Sequence, residues 1–97
     1  MKSLYRFRAP AEVARLLRGL HPQIKHKIRS GLDLLGRDAL AGKALKDEFE
    51  SLRSLRVGRF RIVYRTAARR VIEIVAIGPR KTVYEETLRL VTKDRTR

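Results

Sequence analysis

A chain of 97 residues fits one compact domain, and a hydrophobic share of 43% is enough for an ordinary buried core. Cysteine is absent, which excludes disulfides and thiolate metal sites, and no apolar run reaches the length of a signal peptide or a bilayer span. Lys and Arg number 24 against 10 Asp and Glu, a net charge of +14, so the chain should attract phosphate backbones in a salt-sensitive way.

These features predict a single cytoplasmic domain over residues 1–97. Charge alone also allows an acidic protein partner or a membrane surface.

Residues 4–8 alternate in part between apolar and basic side chains and predict a short strand. Pro10 suits a first helical position. Val13, Leu16, Leu17 and Leu20 then form one apolar helical stripe. Gly19 and Pro22 break that helix, and Pro22 opens a second. Its apolar stripe is Ile24, Ile28, Leu32 and Leu35, with Lys25, His26, Lys27 and Arg29 filling most of the other face. Gly36 is a candidate stop. So short a break predicts an antiparallel helical hairpin.

Residues 38–50 are mixed, and Gly42 suggests a loop. Strands are predicted over 52–57, 60–65 and 71–77, with turns at 58–59 and 66–70. In the second of these, Phe60, Ile62 and Tyr64 share one face and Arg61, Val63 and Arg65 the other. The third is apolar on both faces except at Glu73, as befits an interior strand. Gly78 and Pro79 end it. Val83, Leu88 and Val91 suggest a last short helix, and residues 92–97 a frayed basic tail. The fold expected is α+β: an N-terminal strand, a helical hairpin packed on a mainly antiparallel four-stranded sheet, and a short C-terminal helix. The other sheet face is left to solvent or to a ligand.

From Ser51 to Ile72 there is no acid but there are seven arginines: Arg53, Arg56, Arg59, Arg61, Arg65, Arg69 and Arg70. Arginine offers a planar fork of donors that matches phosphate and keeps its charge at every physiological pH. A strand face carrying it is a phosphate platform, or else a charged edge that resists aggregation. Arg80, Lys81 and Tyr84 follow the last strand, where a tyrosine can stack on a base. His21 and His26, five residues apart and without partner ligands, are read as surface residues. No nucleophilic triad and no phosphate-binding glycine loop is present.

These residues resemble a known family. Residues 55–64, LRVGRFRIVY, are similar to the "LRVGDYRIIY" segment of the RelE/ParE toxins. Residues 77–84, IGPRKTVY, are similar to their "IGHRxxVY" ending, and residues 43–47, KALKD, to the "xKxLKG" run before the strands. The resemblance covers almost the whole chain and is greatest for the RelE-like branch. It implies a toxin of a type II toxin–antitoxin pair that enters the ribosomal A site and cuts mRNA there. The 2′-OH would attack the adjacent phosphate, with no metal and no other cofactor.

Matched motif to motif, Arg61, Arg80 and Tyr84 would be catalytic. Arg61 would stabilise charge on the phosphorane, Arg80 would assist the leaving 5′-oxygen, and Tyr84 would stack on or orient the base. Arg53, Arg56, Arg59, Lys81 and Lys46 would bind RNA. Related toxins carry two lysines for proton transfer where this chain has Leu52 and Ser54; Lys81, Lys46, Glu85 or a ribosomal group would take that part. Pro79 also replaces a basic or histidine residue. The resemblance further implies a cognate antitoxin, acidic or amphipathic, whose helix lies along the hairpin and whose tail covers the arginines. Operator DNA would be reached only through that complex, and no membrane is involved. The alternative is a ParE-like inhibitor of DNA gyrase without RNase activity. A non-catalytic RNA-binding module is a third reading.

Overall fold

A computed structural model describes residues 4–46, 51–79 and 82–84. The elements run β1 (Arg6–Arg8), α1 (Ala11–Gly19), α2 (Pro22–Arg37), β2 (Lys43–Ala44), β3 (Arg53–Val57), β4 (Phe60–Ala67) and β5 (Val71–Pro79). The strands form one sheet in the order β1-β5-β4-β3-β2. Only β1 is parallel to its neighbour; the other pairings are antiparallel. The expected α+β architecture is present with one addition. Lys43 and Ala44 pair with β3 as a fifth strand, although two residues are too few to show an alternating pattern.

Both helices begin near the expected prolines. Pro22 is the first residue of α2, and the Nδ1 of His21 caps that end by accepting from the Gln23 N–H at 3.1 Å. His21 is thus a capping residue as well as an exposed one. Pro10 precedes α1 instead of starting it. Gly36 is buried within α2, which ends one residue later. α1 lies over β5 and α2 over β3. Between helices and sheet lies the main core: Val13, Ile28 and Leu35 against Ile62, Tyr64, Ile72, Ile74 and Ile77.

Residues directly opposite on paired strands share a face. The helix side of β4 therefore holds Ile62 opposite Ile77 and Tyr64 opposite Ile74. The intervening Val75 has no opposite residue, so the register shifts there. On the outer face, a second cluster buries Leu52, Val63, Ala76 and Val83, with Leu45, Val75 and Tyr84 packed against it. That face is thus not left wholly open. Thr82, Val83 and Tyr84 are helical and cover its middle; the rest of the expected last helix and the tail lie outside the described residues.

Two hairpins bound β4. At the β3–β4 turn Gly58 has φ +61°, a conformation that glycine adopts at no steric cost. At the β4–β5 turn the chain has Arg69 and Arg70 at φ 62° and 57°, where each L-residue costs about 1–2 kcal/mol. Among the described residues no helix is long and apolar enough to cross a membrane.

Candidate active site

The loop before β2 is fixed from the helix side of the sheet. Tyr64 is fully buried; its hydroxyl donates to the Ala39 carbonyl at 2.7 Å and accepts from the Gly42 N–H at 3.0 Å. The approach is so close that a Cβ at Gly42 would stand 2.6 Å from the Tyr64 oxygen. Arg53 lies opposite Tyr64. Its Nε donates to the Gly42 carbonyl at 3.0 Å and its Nη2 to the Leu40 carbonyl at 3.3 Å. These bonds hold the chain that delivers Lys43 and Lys46 to the outer face.

There a cavity of about 330 Å³ is lined by Lys43, Ala44, Leu45, Lys46, Ser54, Arg61 and Tyr84. Lys43 stands opposite Ser54 on β2 and β3, and β4 contributes Arg61. The Tyr84 hydroxyl donates to Ser54 Oγ at 3.2 Å, and Ser54 is buried. Arg56 stands directly opposite Arg61, which in turn stands opposite Gly78. The Arg56 Nε donates to the Gly58 carbonyl at 3.3 Å.

Two like charges facing each other across strands repel, and no carboxylate pairs with either among the described residues. The opposite end of the same face is neutralised. Glu73 accepts from Arg8 Nη2 at 2.6 Å and from Arg65 Nε at 3.1 Å. Partial burial pushes the Glu73 carboxyl up, but the hydrogen bonds and charges of Arg8 and Arg65 outweigh this and hold it below the ordinary carboxylate range. The face is therefore polarised, with anion-seeking charge gathered around Arg56 and Arg61.

The fold separates the residues singled out in the sequence. It brings Arg61, Tyr84 and Lys46 to one cavity and sets Arg56 beside it. Arg59 lies at the β3–β4 turn, on a neighbouring cleft shared with Ile24, Lys27 and Arg56. Arg53 points its guanidinium at loop carbonyls on the other side of the sheet. Arg80 and Lys81 lie outside the described residues. Lys43 was not singled out as a site residue, although its spacing of three from Lys46 is the signal that could have found it. Among the described residues no cluster of His, Asp or Glu is placed to hold a metal ion. Chemically, the cavity presents a guanidinium, two ammonium groups, a hydroxyl and a phenol. That set suits a phosphodiester, with donors for its oxygens and a ring for a base.

The fold is similar to those of solved toxins. A chain of the Mycobacterium tuberculosis RelBE2 toxin–antitoxin complex matches with a TM-score of 0.68 and 28% identity, over 78% of this chain and 98% of its own. A doubly substituted Escherichia coli RelE toxin in the free state matches with a TM-score of 0.69 and 19% identity, over 92% of this chain and 97% of its own. The archaeal RelE–RelB complex of Pyrococcus horikoshii gives 0.60 and 23%, over 78% of this chain and 94% of the matched one. No curated protein sequence matches the chain. Residues 4–84 match the family model of the ParE toxin of type II toxin–antitoxin systems, parDE, and with that span of the chain accounted for, the protein belongs to this toxin family and, through it, to the RelE/ParE superfamily, with a RelE-like fold.

Proposed function

We propose that this toxin is a ribosome-dependent endoribonuclease of the cytoplasm that cuts mRNA in the A site and so blocks translation. The observation that carries the reading is the meeting of Arg61 and Tyr84 with Lys43, Lys46 and Ser54 in one outer-face cavity. In the proposed reaction a ribose 2′-OH loses its proton and bonds to the adjacent phosphorus. The P–O5′ bond breaks, the 5′-oxygen takes up a proton, and a 2′,3′-cyclic phosphate remains. No metal or other cofactor takes part.

Arg61 stabilises the negative charge that builds on the phosphorane, the electrostatic work for which a preorganised guanidinium is suited. Tyr84, held by Ser54, orients the base. Lys46 and Lys43 line the same cavity and are candidates for the proton transfer, with Lys81, Glu85 and the ribosome as the others. Arg80 assists the leaving oxygen. Arg56 and Arg59 grip the RNA backbone, with Lys81 as a further contact. Arg53, assigned to RNA by the sequence, serves this reading by fixing the loop that carries the lysines.

The partner that restrains the toxin is a cognate antitoxin of acidic or amphipathic character, matched to a net charge of +14. Its helix lies along α1 and α2, its tail covers the arginines, and operator DNA is met only through the complex. The M. tuberculosis and P. horikoshii relatives are both toxin–antitoxin complexes.

A second reading is inhibition of DNA gyrase without RNA cleavage. It is favoured by the family model, which is that of ParE. Primer extension on a defined mRNA in a reconstituted translation reaction, with and without ribosomes, decides between them. Cuts within A-site codons that require ribosomes are the expected result. Uncut mRNA together with loss of gyrase supercoiling would establish the second reading.

A further inference from the structure

The seven arginines of residues 51–72 part company in the fold, and one pair sits where the backbone disfavours it. Arg69 and Arg70 are successive residues in the left-handed region, with φ of 62° and 57°. Backbone positions of that kind favour glycine and asparagine. The other hairpin of β4 does use glycine, at Gly58. Arg69 and Arg70 are exposed, and neither is paired with a carboxylate among the described residues. Arg8 and Arg65, by contrast, share Glu73.

The turn also meets β1. The Arg70 carbonyl accepts from the Arg6 N–H at 2.9 Å, and Arg6 stands opposite Val71. Three exposed arginines therefore gather at one tip of the sheet. Thr66, Ala67 and Ala68 in the turn offer no large apolar anchor of the kind that protein interfaces use; of the exposed apolar side chains near Arg6, Leu4 precedes β1 and Phe7 alternates onto the opposite sheet face. Along β4 the tip is six residues from Arg61, about 20 Å at the rise of a strand. Strained backbone is retained where the side chains it displays make a contact worth the strain.

The geometry points to Arg6, Arg69 and Arg70 as a second polyanion contact, gripping the phosphate backbone of a structured RNA at the β4–β5 turn, apart from the cavity of Arg61 and Tyr84. This contact rests on the reading of the toxin as a protein that acts on RNA, but not on its being a nuclease.

The test is fluorescence anisotropy of the full chain with a labelled RNA stem-loop over a range of KCl concentrations. It compares wild type with the double variants Arg69→Asn/Arg70→Gly and Arg69→Lys/Arg70→Lys, each also followed by thermal unfolding. The Asn-Gly variant relieves the turn, so its Tm should rise by on the order of 5 °C. Its RNA affinity should nevertheless fall about tenfold, and its plot of log affinity against log salt should flatten by about 1.8, near 0.9 for each lost phosphate contact. The lysine variant keeps the charges and should bind within roughly threefold of wild type.

Unchanged affinity and salt slope in the Asn-Gly variant would overturn the contact. An equal loss of affinity and of salt slope in the lysine variant would do the same, since that variant keeps the turn and the positive charge through which a phosphate contact acts. Loss of antitoxin binding with RNA binding intact would assign the tip to a protein and also overturn it. Failure of mRNA cleavage by wild type, with the tip still binding RNA, would remove the nuclease reading and leave this contact standing.

Discussion

The Tyr84 hydroxyl donates to Ser54 Oγ at 3.2 Å, tying the helical turn of residues 82–84 to β3 across the floor of the cavity. Ser54 occupies a position where the family resemblance leads one to expect a lysine. A serine brings an acceptor for the phenol in place of a charge. Ser54→Ala removes that acceptor without opening a large void, so cleavage should fall about tenfold, equivalent to one hydrogen bond at the upper end of its usual net range. Ser54→Thr keeps the hydroxyl and should retain most of the activity. Single-turnover cleavage rates on ribosome-bound mRNA, with Tm measured alongside, check this. Equal loss in both variants would remove Ser54 from the role of positioning Tyr84.

Tyr64 anchors the loop beneath β2 through two hydrogen bonds made by one buried hydroxyl. Tyr64→Phe leaves the Ala39 carbonyl and the Gly42 N–H without that partner. The expected loss is about 1–3 kcal/mol of unfolding free energy, the cost of unsatisfied buried groups. Urea unfolding measures it, and a change below about 0.5 kcal/mol would show that the loop relaxes to other partners.

Glu73 binds Arg8 and Arg65 across three strands, and its folded pKa lies below its ordinary value of 4.5. A depressed carboxylate pKa means that the contribution is present above the unfolded value and is lost as pH falls through the folded value. Wild-type stability should therefore decline on acidification below about pH 4.5 more steeply than that of Glu73→Gln. At neutral pH the variant should be less stable by about 1 kcal/mol, since exposed pairs are individually weak. Urea titrations across this range test the sign. Parallel curves for the two proteins would deny Glu73 that role.

Much of the architecture was legible because alternation and helical spacing follow burial directly. Phe60, Ile62 and Tyr64 on one face of β4, and the stripe of Ile24, Ile28 and Leu35 on α2, show this. The arginines were less legible. Their density suggested one platform, yet Arg53 shares the helix side with Leu55 and Val57, a parity that the sequence does contain. The shift at Val75 is different: nothing in an unbroken apolar run marks which residue will lack a partner. Lys43 is brought opposite Ser54 only by a strand of two residues, too short for any periodicity. The neutralising of Arg8 and Arg65 by Glu73 joins residues 65 apart in the case of Arg8, which no local pattern reveals.

One sheet face is divided into an end neutralised by Glu73 and an anion-seeking end at Arg56 and Arg61. The measurement that tests this division most directly is ribosome-dependent cleavage by Arg61→Ala and Arg65→Ala, read by primer extension in a reconstituted translation reaction. Both variants remove an arginine from β4 on the same face. Arg61→Ala should lose about a hundredfold to a thousandfold in rate, the usual effect of deleting a transition-state donor, while Arg65→Ala should cut at a rate near that of wild type. Equal losses in the two variants, or a fully active Arg61→Ala, would contradict the account.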